Sequence, residues 1–400
     1  LSKSVCESRI ESGFRKRVRS DQRVRRAFLL VQSDKLGVSV NITESGNGSP
    51  TYPDQPVHLA SVGKLFTATL VAILYEQGEL DFTDKIGAYL DANLMKGLHV
   101  YRGREYSNEI TIRHLLMQTS GLYDVFYPLW KKMTRDPSYR ISTREAIVWG
   151  KKHLKPIAKP GKKNHYTDTN YYLLGFIVER VTGIPFHDAM HQMIFDPLGM
   201  SHAWMHGYSG PKEQPNHSSA GLFMKGRDFS AVAGASAIDY AGGSVIAPPS
   251  EYLLFLKALT SHQLIREQTL ERMISDDVHM GFPTVGFDYG YSIWKLRTIP
   301  LLMPSEMFSW GCVGVTGAFL FYHPLTASHI IGTFNDFAYR SKALSFMASK
   351  VVKELVAHAQ GSTGGKHDRE ANSESIRTRD EEPVDGGRGA VQQNQLPIRE

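Results

Sequence analysis

The sequence predicts an α+β protein whose antiparallel sheet takes strands from both ends of the chain. Three observations carry this. Two short strand-like runs lie near the start, apolar-periodic helices fill the middle, and residues 285–336 are β-rich before one last helix. No alternating strand–helix–strand pattern and no internal repeat is present.

The elements follow in order. Residues 26–43, "RAFLLVQSDKLGVSVNIT", read as two strands around a turn at Ser33, Asp34 and Lys35, and "GNGS" at 46–49 is a hairpin turn. Leu65, Phe66, Leu70, Ile73 and Leu74 recur at helical spacing, and the run ends at Gly78. "DFTDKIGAYL" is a loop and a short helix. "NEITIRHLLMQTSGL" is a helix begun by Thr111 and stopped near Gly121. Residues 122–165 have mixed periodicity, with Tyr123, Phe126, Tyr127 and Trp130 followed by a lysine-rich stretch. "NYYLLGFIVERVTG" is a strong helix capped by Gly183. "PFHDAMHQMIFDPLGM" is another, broken by Pro197, and a further helix starts after Pro249. "SKALSFMASKVVKELVAHA" closes the fold.

At 42% hydrophobic residues, the 400-residue chain can build a large core. The expected organisation is a basic N-terminal segment at 1–27, one folded domain at 28–360 and a disordered tail at 361–400, where aromatics are absent and aliphatics few. The net charge of +6 is modest, and the basic run at 14–26 reads as an amphipathic helix with Phe14 and Val18 on its buried side. No nucleic-acid motif accompanies it, so no nucleic-acid partner is expected. Two distant cysteines, Cys6 and Cys312, make no disulfide framework. No run has the length of a membrane helix, so no integral membrane segment is expected, and no secretory signal pattern is seen, which leaves the location open with the cytoplasm slightly favoured. His187 and His191 have metal-ligand spacing on one helix but lack a third partner, and no phosphate-binding glycine loop or Gly-x-Ser-x-Gly elbow exists. The expectation is an unassisted site, without metal or cofactor.

Ser61 and Lys64 stand three apart at the start of the first long helix. That spacing puts amine and hydroxyl on one face, and the helix N-terminus suits an alkoxide. A neutral lysine beside a serine activates a nucleophile without histidine. The same residues also fit an N-cap and a solvated lysine. Tyr166 and Asp168 meet at the entry to the strongest helix. A tyrosine near an amine can carry protons if positive charge lowers its pKa, and the stretch "KKHLKPIAKPGKK" just before it supplies lysines. Alternatively, Tyr166 starts the helix and Asp168 caps it.

Taken together, these residues resemble the serine β-lactamase and penicillin-binding protein superfamily, in its class C-like branch of esterases, D-aminopeptidases and β-lactamase-related hydrolases. The segments that carry the resemblance are "LASVGKLFTATLVAILYEQGELDFTDKIGAYL", "ITIRHLLMQTSGL", "YTDTNYYLLGFIVERVTG", "IFDPLGM", "DYAGGSVIAPPSEYLLFLKAL" and "GFDYGYSIW", within residues 28–355. The resemblance implies a β-lactamase/transpeptidase-like fold, an antiparallel sheet flanked by helices with a helical subregion. It implies a serine hydrolase that acylates Ser61 with a small-molecule ester or amide, with Lys64 and Tyr166 handling protons. The backbone N–H groups of Ser61 and Val315 would hold the oxyanion. Two positions depart from the pattern. Asp168 stands where the second motif commonly has Asn, and an ionised Asp favours the charged form of Lys64. Cys312-Val313-Gly314 stands where the third motif has Lys-, His- or Trp-x-Gly, so the expected substrates are neutral esters with apolar acyl groups and aromatic pocket walls from 123–130. β-Lactamase or D-amino-acid peptidase activity, and a ligand-binding relative with little turnover, are the alternatives.

Overall fold

Ala27–Ser33 (β1) and Val38–Glu44 (β2) form the opening hairpin, with Val31 opposite Val40. In the computed structural model, which describes residues 3–224, 227–230, 232, 234–281, 286–297 and 304–361, this hairpin joins strands from the far end of the chain. Those strands are Val278–His279 (β3), Phe287–Tyr289 (β4), Trp294–Leu296 (β5), Trp310–Gly314 (β6), Ala318–His323 (β7) and Ser328–Thr333 (β8). The eight run β3-β4-β5-β6-β7-β8-β1-β2, antiparallel throughout. The junction of the two chain ends is β8 on β1, where Ile331 faces Leu30 and Ile330 faces Val31.

Side-chain period explains the layering. β2 alternates, with Val38 and Val40 buried and Ser39 and Asn41 exposed, so one face meets solvent. Nearly all of β1 is buried, so both of its faces are covered. Lys3–Arg19 (α1) packs on β2 through Cys6, Ile10, Phe14 and Val18, a stripe with period four. Phe14 sits 6.0 Å from both Phe334 and Phe346. The basic residues of α1 point outward, and Arg15 and Arg19 pair with Glu44 at 3.2 and 2.9 Å.

The helical region begins with Gly63–Glu76 (α2) and continues through Phe126–Arg135 (α3), Thr169–Thr182 (α4), Ala235–Gly243 (α5) and Pro249–Thr260 (α6). Gly183 ends α4 in the left-handed conformation, as the sequence predicts. The Thr111 start is also seen, as a capping box with His114. Two helices stand where the periodicity is mixed, α3 and Thr143–His153. The second carries its own signal, a Ser142–Glu145 capping box. The helix at 186–195 widens into a π-turn over His191–Phe195 ahead of Pro197. Arg340–Phe346 (α7) leads into the closing helical segment.

The compact unit ends at His358, and it includes α1. The tail expected to be disordered lies outside the described residues apart from Gly361. Among the described residues no helix is long and apolar enough to cross a membrane.

Phe14 is the main anchor of α1, being fully buried between two other rings. Phe14→Ala should cost about 3–5 kcal/mol and Phe14→Leu much less. Urea denaturation checks this, and an unchanged midpoint for Phe14→Ala would show that α1 adds nothing to the core.

Candidate active site

Ser61 occupies a single 3₁₀ turn, Ala60–Val62, that runs straight into α2. No side chain caps this helix, so Ser61 is not an N-cap. Lys64 follows one turn later and is wholly buried. Its amine donates to Ser61 Oγ at 3.0 Å, to the Gly242 carbonyl at 2.7 Å and to the Asp168 carboxylate. An ammonium has three donors, and here each has an acceptor. The rings of Tyr166 and Tyr171 flank it, each 5.2 Å from Nζ to ring centre.

Each acceptor has a local cause. Asp168 precedes α4 but does not cap it, and Thr167 Oγ1 instead takes the Thr169 N–H at 3.1 Å. That leaves the Asp168 carboxylate for Lys64. Gly242 lies past a kink in α5, where Tyr240 has φ +30°. Beyond the kink the carbonyls of Ala241 and Gly242 turn to α2 and accept from Thr67 and Lys64. The two backbones meet so closely that a Cβ on Gly63 would lie 2.8 Å from the Gly243 Cα.

Burial works against the Lys64 ammonium, but the Asp168 charge and hydrogen bond outweigh it and raise the amine above its ordinary pKa. Burial also raises Asp168, against the pull of Lys64. The pair therefore holds its protons tightly. Asp124, which the sequence reading did not single out, lies behind it. Its Oδ1 accepts the Asp168 N–H at 3.0 Å and the Thr167 hydroxyl at 3.2 Å. Burial, then the Asp168 charge, pushes the Asp124 carboxyl up to about 7.

Tyr166 faces Ser61, whose side chain favours the phenolate, yet its hydroxyl is buried and makes no hydrogen bond of ordinary geometry. The expected lowering of its pKa is not what the structure gives. Burial and then the Asp168 charge drive the phenol well above its usual value. The lysines of 151–163 are mostly exposed and none is a leading influence on it.

Strand β6, which carries Cys312 and Gly314, runs beside the serine. A Cβ on Gly314 would lie 2.1 Å from the Leu59 carbonyl oxygen, so glycine is what lets strand and nucleophile turn touch. Cys312 does not look into the cavity. It is fully buried and its thiol donates to the Ser61 carbonyl at 3.2 Å, while burial pushes its pKa up to about 12. Val313, the next residue, lines the cavity. The Ser61 and Val315 N–H groups donate to no loop, turn or cap acceptor among the described residues.

The cavity over Ser61 measures about 850 Å³. Phe126, Tyr127 and Trp130 from α3 form one wall with Phe229 and Ile238, whereas Tyr123 is core. Trp130 is held by stacking on Phe337 at 6.0 Å. Arg340 and Lys163, both exposed, reach the same cavity and make no ion pair among the described residues. Two cations therefore stand at the cavity, although Cys312 supplies none.

His58, His206 and Asp239 bring potential metal-ligating atoms within 4.8 Å of one another. The Ala60 N–H donates to His58 Nδ1 at 3.0 Å, which makes Nδ1 an acceptor and puts the proton on Nε2, 2.7 Å from Asp239. A metal at Nε2 would displace that proton and leave an imidazolate, so the residues fit a metal poorly. His187 and His191 are spent elsewhere, on Asp188 and on Ser209.

The Beta-lactamase family model matches residues 14–348. Penicillin-binding protein 4* of Bacillus subtilis is 30% identical over 185 residues, 46% of this chain and 38% of that protein, so the matched part is well under half of that relative. Monacolin J acid methylbutanoyltransferase of Aspergillus terreus is 27% identical over 291 residues, 66% of this chain and 69% of that protein. A D-stereospecific amidohydrolase from Streptomyces sp. has a similar solved structure, with TM-score 0.70 at 21% identity over 86% of this chain and 98% of that one. That likeness is one of fold.

Asp124 gives a pH test. With its folded pKa near 7, the folded state keeps a proton that the unfolded chain has lost above about pH 4. Stability should fall as pH rises from 4 to 7 and then level off. Asp124→Asn cannot ionise and should gain on wild type between pH 5 and pH 8, read as urea midpoints. A gap that does not change with pH would contradict the assignment.

Proposed function

The chain belongs to the beta-lactamase family, and from that premise we propose that it is a serine hydrolase forming an acyl-enzyme on Ser61 from an ester or amide. The observation that carries the proposal is a wholly buried Lys64 bonded to Ser61 Oγ at the edge of a large, mainly apolar cavity.

Ser61 Oγ attacks the carbonyl carbon, and its proton passes to the Lys64–Asp168 pair. The amine can take that proton once Asp168 has accepted one from it, and burial, which raises Asp168, makes that acceptance easier. The Ser61 and Val315 N–H groups receive the oxyanion, each contributing roughly 3–4 kcal/mol in sites of this kind. Tyr166 stays a neutral phenol, so it acts as the proton donor to the leaving group, and the phenolate left behind is reprotonated from the Lys64–Asp168 pair, which holds the proton taken from Ser61. Water, losing a proton to the same groups, then releases the acyl product and restores Ser61. The aromatic walls favour an apolar acyl group, and Arg340 and Lys163 leave room for an anionic group at the rim.

A second reading has an alcohol in place of water as acyl acceptor. It is favoured by the likeness to the methylbutanoyltransferase. Product analysis with an added alcohol separates the two, since transfer gives a new ester and hydrolysis gives free acid.

A fluorophosphonate should add one phosphonyl group to the wild type and none to Ser61→Ala, read by intact mass. Butyl and hexyl p-nitrophenyl esters should turn over faster than nitrocefin. Labelling without turnover of any ester would favour a binding protein, and rapid nitrocefin hydrolysis would favour a β-lactamase. Asp168→Asn removes the charge that raises Lys64. The amine should then lose its proton at lower pH, moving the rising limb of the kcat/KM profile to lower pH by about one unit or more. A limb that stays in place would mean that another group titrates.

A further inference from the structure

We propose that His58 and Asp239 are a positioning pair that holds Ser61 in its attacking geometry through the backbone of Ala60; this rests on the acyl-enzyme reading above. Ala60 has φ +50°, in the left-handed region where a residue with a Cβ is disfavoured. It immediately precedes Ser61, so its conformation sets where the hydroxyl and the Ser61 N–H point. Something must hold it there, and its N–H makes one hydrogen bond, to His58 Nδ1 at 3.0 Å.

His58 is itself fixed. It is 2% exposed, sits in the two-residue strand Val57–His58, and gives its Nε2 proton to Asp239 Oδ2 at 2.7 Å. His206 packs edge-on to it, with ring centres 5.9 Å apart. Asp239 stands just before the kink in α5, and a Cβ on Gly243 would lie 2.4 Å from its Oδ1. The same stretch of α5 holds Lys64 through Gly242 and Thr67 through Ala241. One kinked helix thus grips both ends of the catalytic turn, at the amine of Lys64 and, through two hydrogen bonds, at the peptide before the serine.

Both residues also line the cavity, but neither hydrogen-bonds Ser61 Oγ or Lys64 Nζ among the described residues, so the effect should appear in the acylation rate more than in substrate affinity. Gln at 58 can keep a donor for Asp239 but loses the acceptor for Ala60, whereas the Oδ1 of Asn can stand near the place of Nδ1. Glycine at 60 adopts positive φ without strain and needs the bond less. The test uses the full chain with a p-nitrophenyl butyrate burst and fluorophosphonate labelling. His58→Gln should lose at least tenfold in acylation rate with KM within about threefold. His58→Asn should lose less, and His58→Gln combined with Ala60→Gly should recover most of the loss.

Wild-type acylation by His58→Gln would overturn the proposal. So would a combined variant no faster than His58→Gln, because a merely structural loss gives no rescue by Ala60→Gly. Failure of the two readings is distinguishable. An unlabelled wild type removes the hydrolase reading and this inference with it, whereas a labelled wild type beside an unaffected His58→Gln removes this inference alone.

Discussion

A charge out of water is the constraint on which this structure is built. Lys64 is fully buried, and an ammonium in that position is tolerated only if its donors are met and its charge is balanced. The three acceptors come from three segments far apart in sequence, the 3₁₀ turn at Ser61, the entry to α4 at Asp168 and the kinked end of α5 at Gly242. Those segments must converge on α2 for Lys64 to be buried at all. Glycines at 63, 243 and 314 mark where that convergence presses backbone against neighbouring atoms.

The same constraint sets the proton chemistry. Asp168 brings a negative charge where an asparagine would bring a dipole, so the amine is held above its ordinary pKa. Tyr166 sits beside that negative charge in a dry site, and both conditions favour the neutral phenol. Electrostatics at the core of the site therefore come from Asp168, with Asp239 a smaller influence on Lys64 and Asp168, and the lysine-rich loop acts at the rim, where Lys163 meets the cavity.

Local patterns in the sequence were enough for the hairpin at 27–44, the Ser61–Lys64 helix, the Thr111 start, the Gly183 stop and the closing strands. Each rests on period or on a cap, signals that lie within a few residues. Joining strands from both chain ends in one sheet also followed from element order, and β8 on β1 is that junction. The helix α3 was hidden because it is short, carries Pro128 in its first turn and has no side-chain cap to mark its start. Asp124, His58 and Asp239 were hidden for a different reason. Nothing near them in sequence distinguishes an acid or a histidine that will face Asp168 or Ala60, and only the tertiary fold brings them there. The direction of the Tyr166 shift was misread for the same cause, since neighbours in sequence are not neighbours in field.

The junction of β8 with β1 also governs how the chain comes into being. The opening hairpin is complete once β2 has been made, but its partner on the other side arrives roughly 300 residues later. At about 5–20 residues per second, synthesis leaves the β1 edge open for roughly 15–60 s. Over that interval a row of unpaired backbone groups beside Phe28, Leu30 and Val31 is free to pair with another chain. Contacts of such long sequence separation also slow folding from the unfolded state. Through that interval α1, made before the hairpin and packed across β2 in the finished fold, is the segment on hand to shield its apolar side chains.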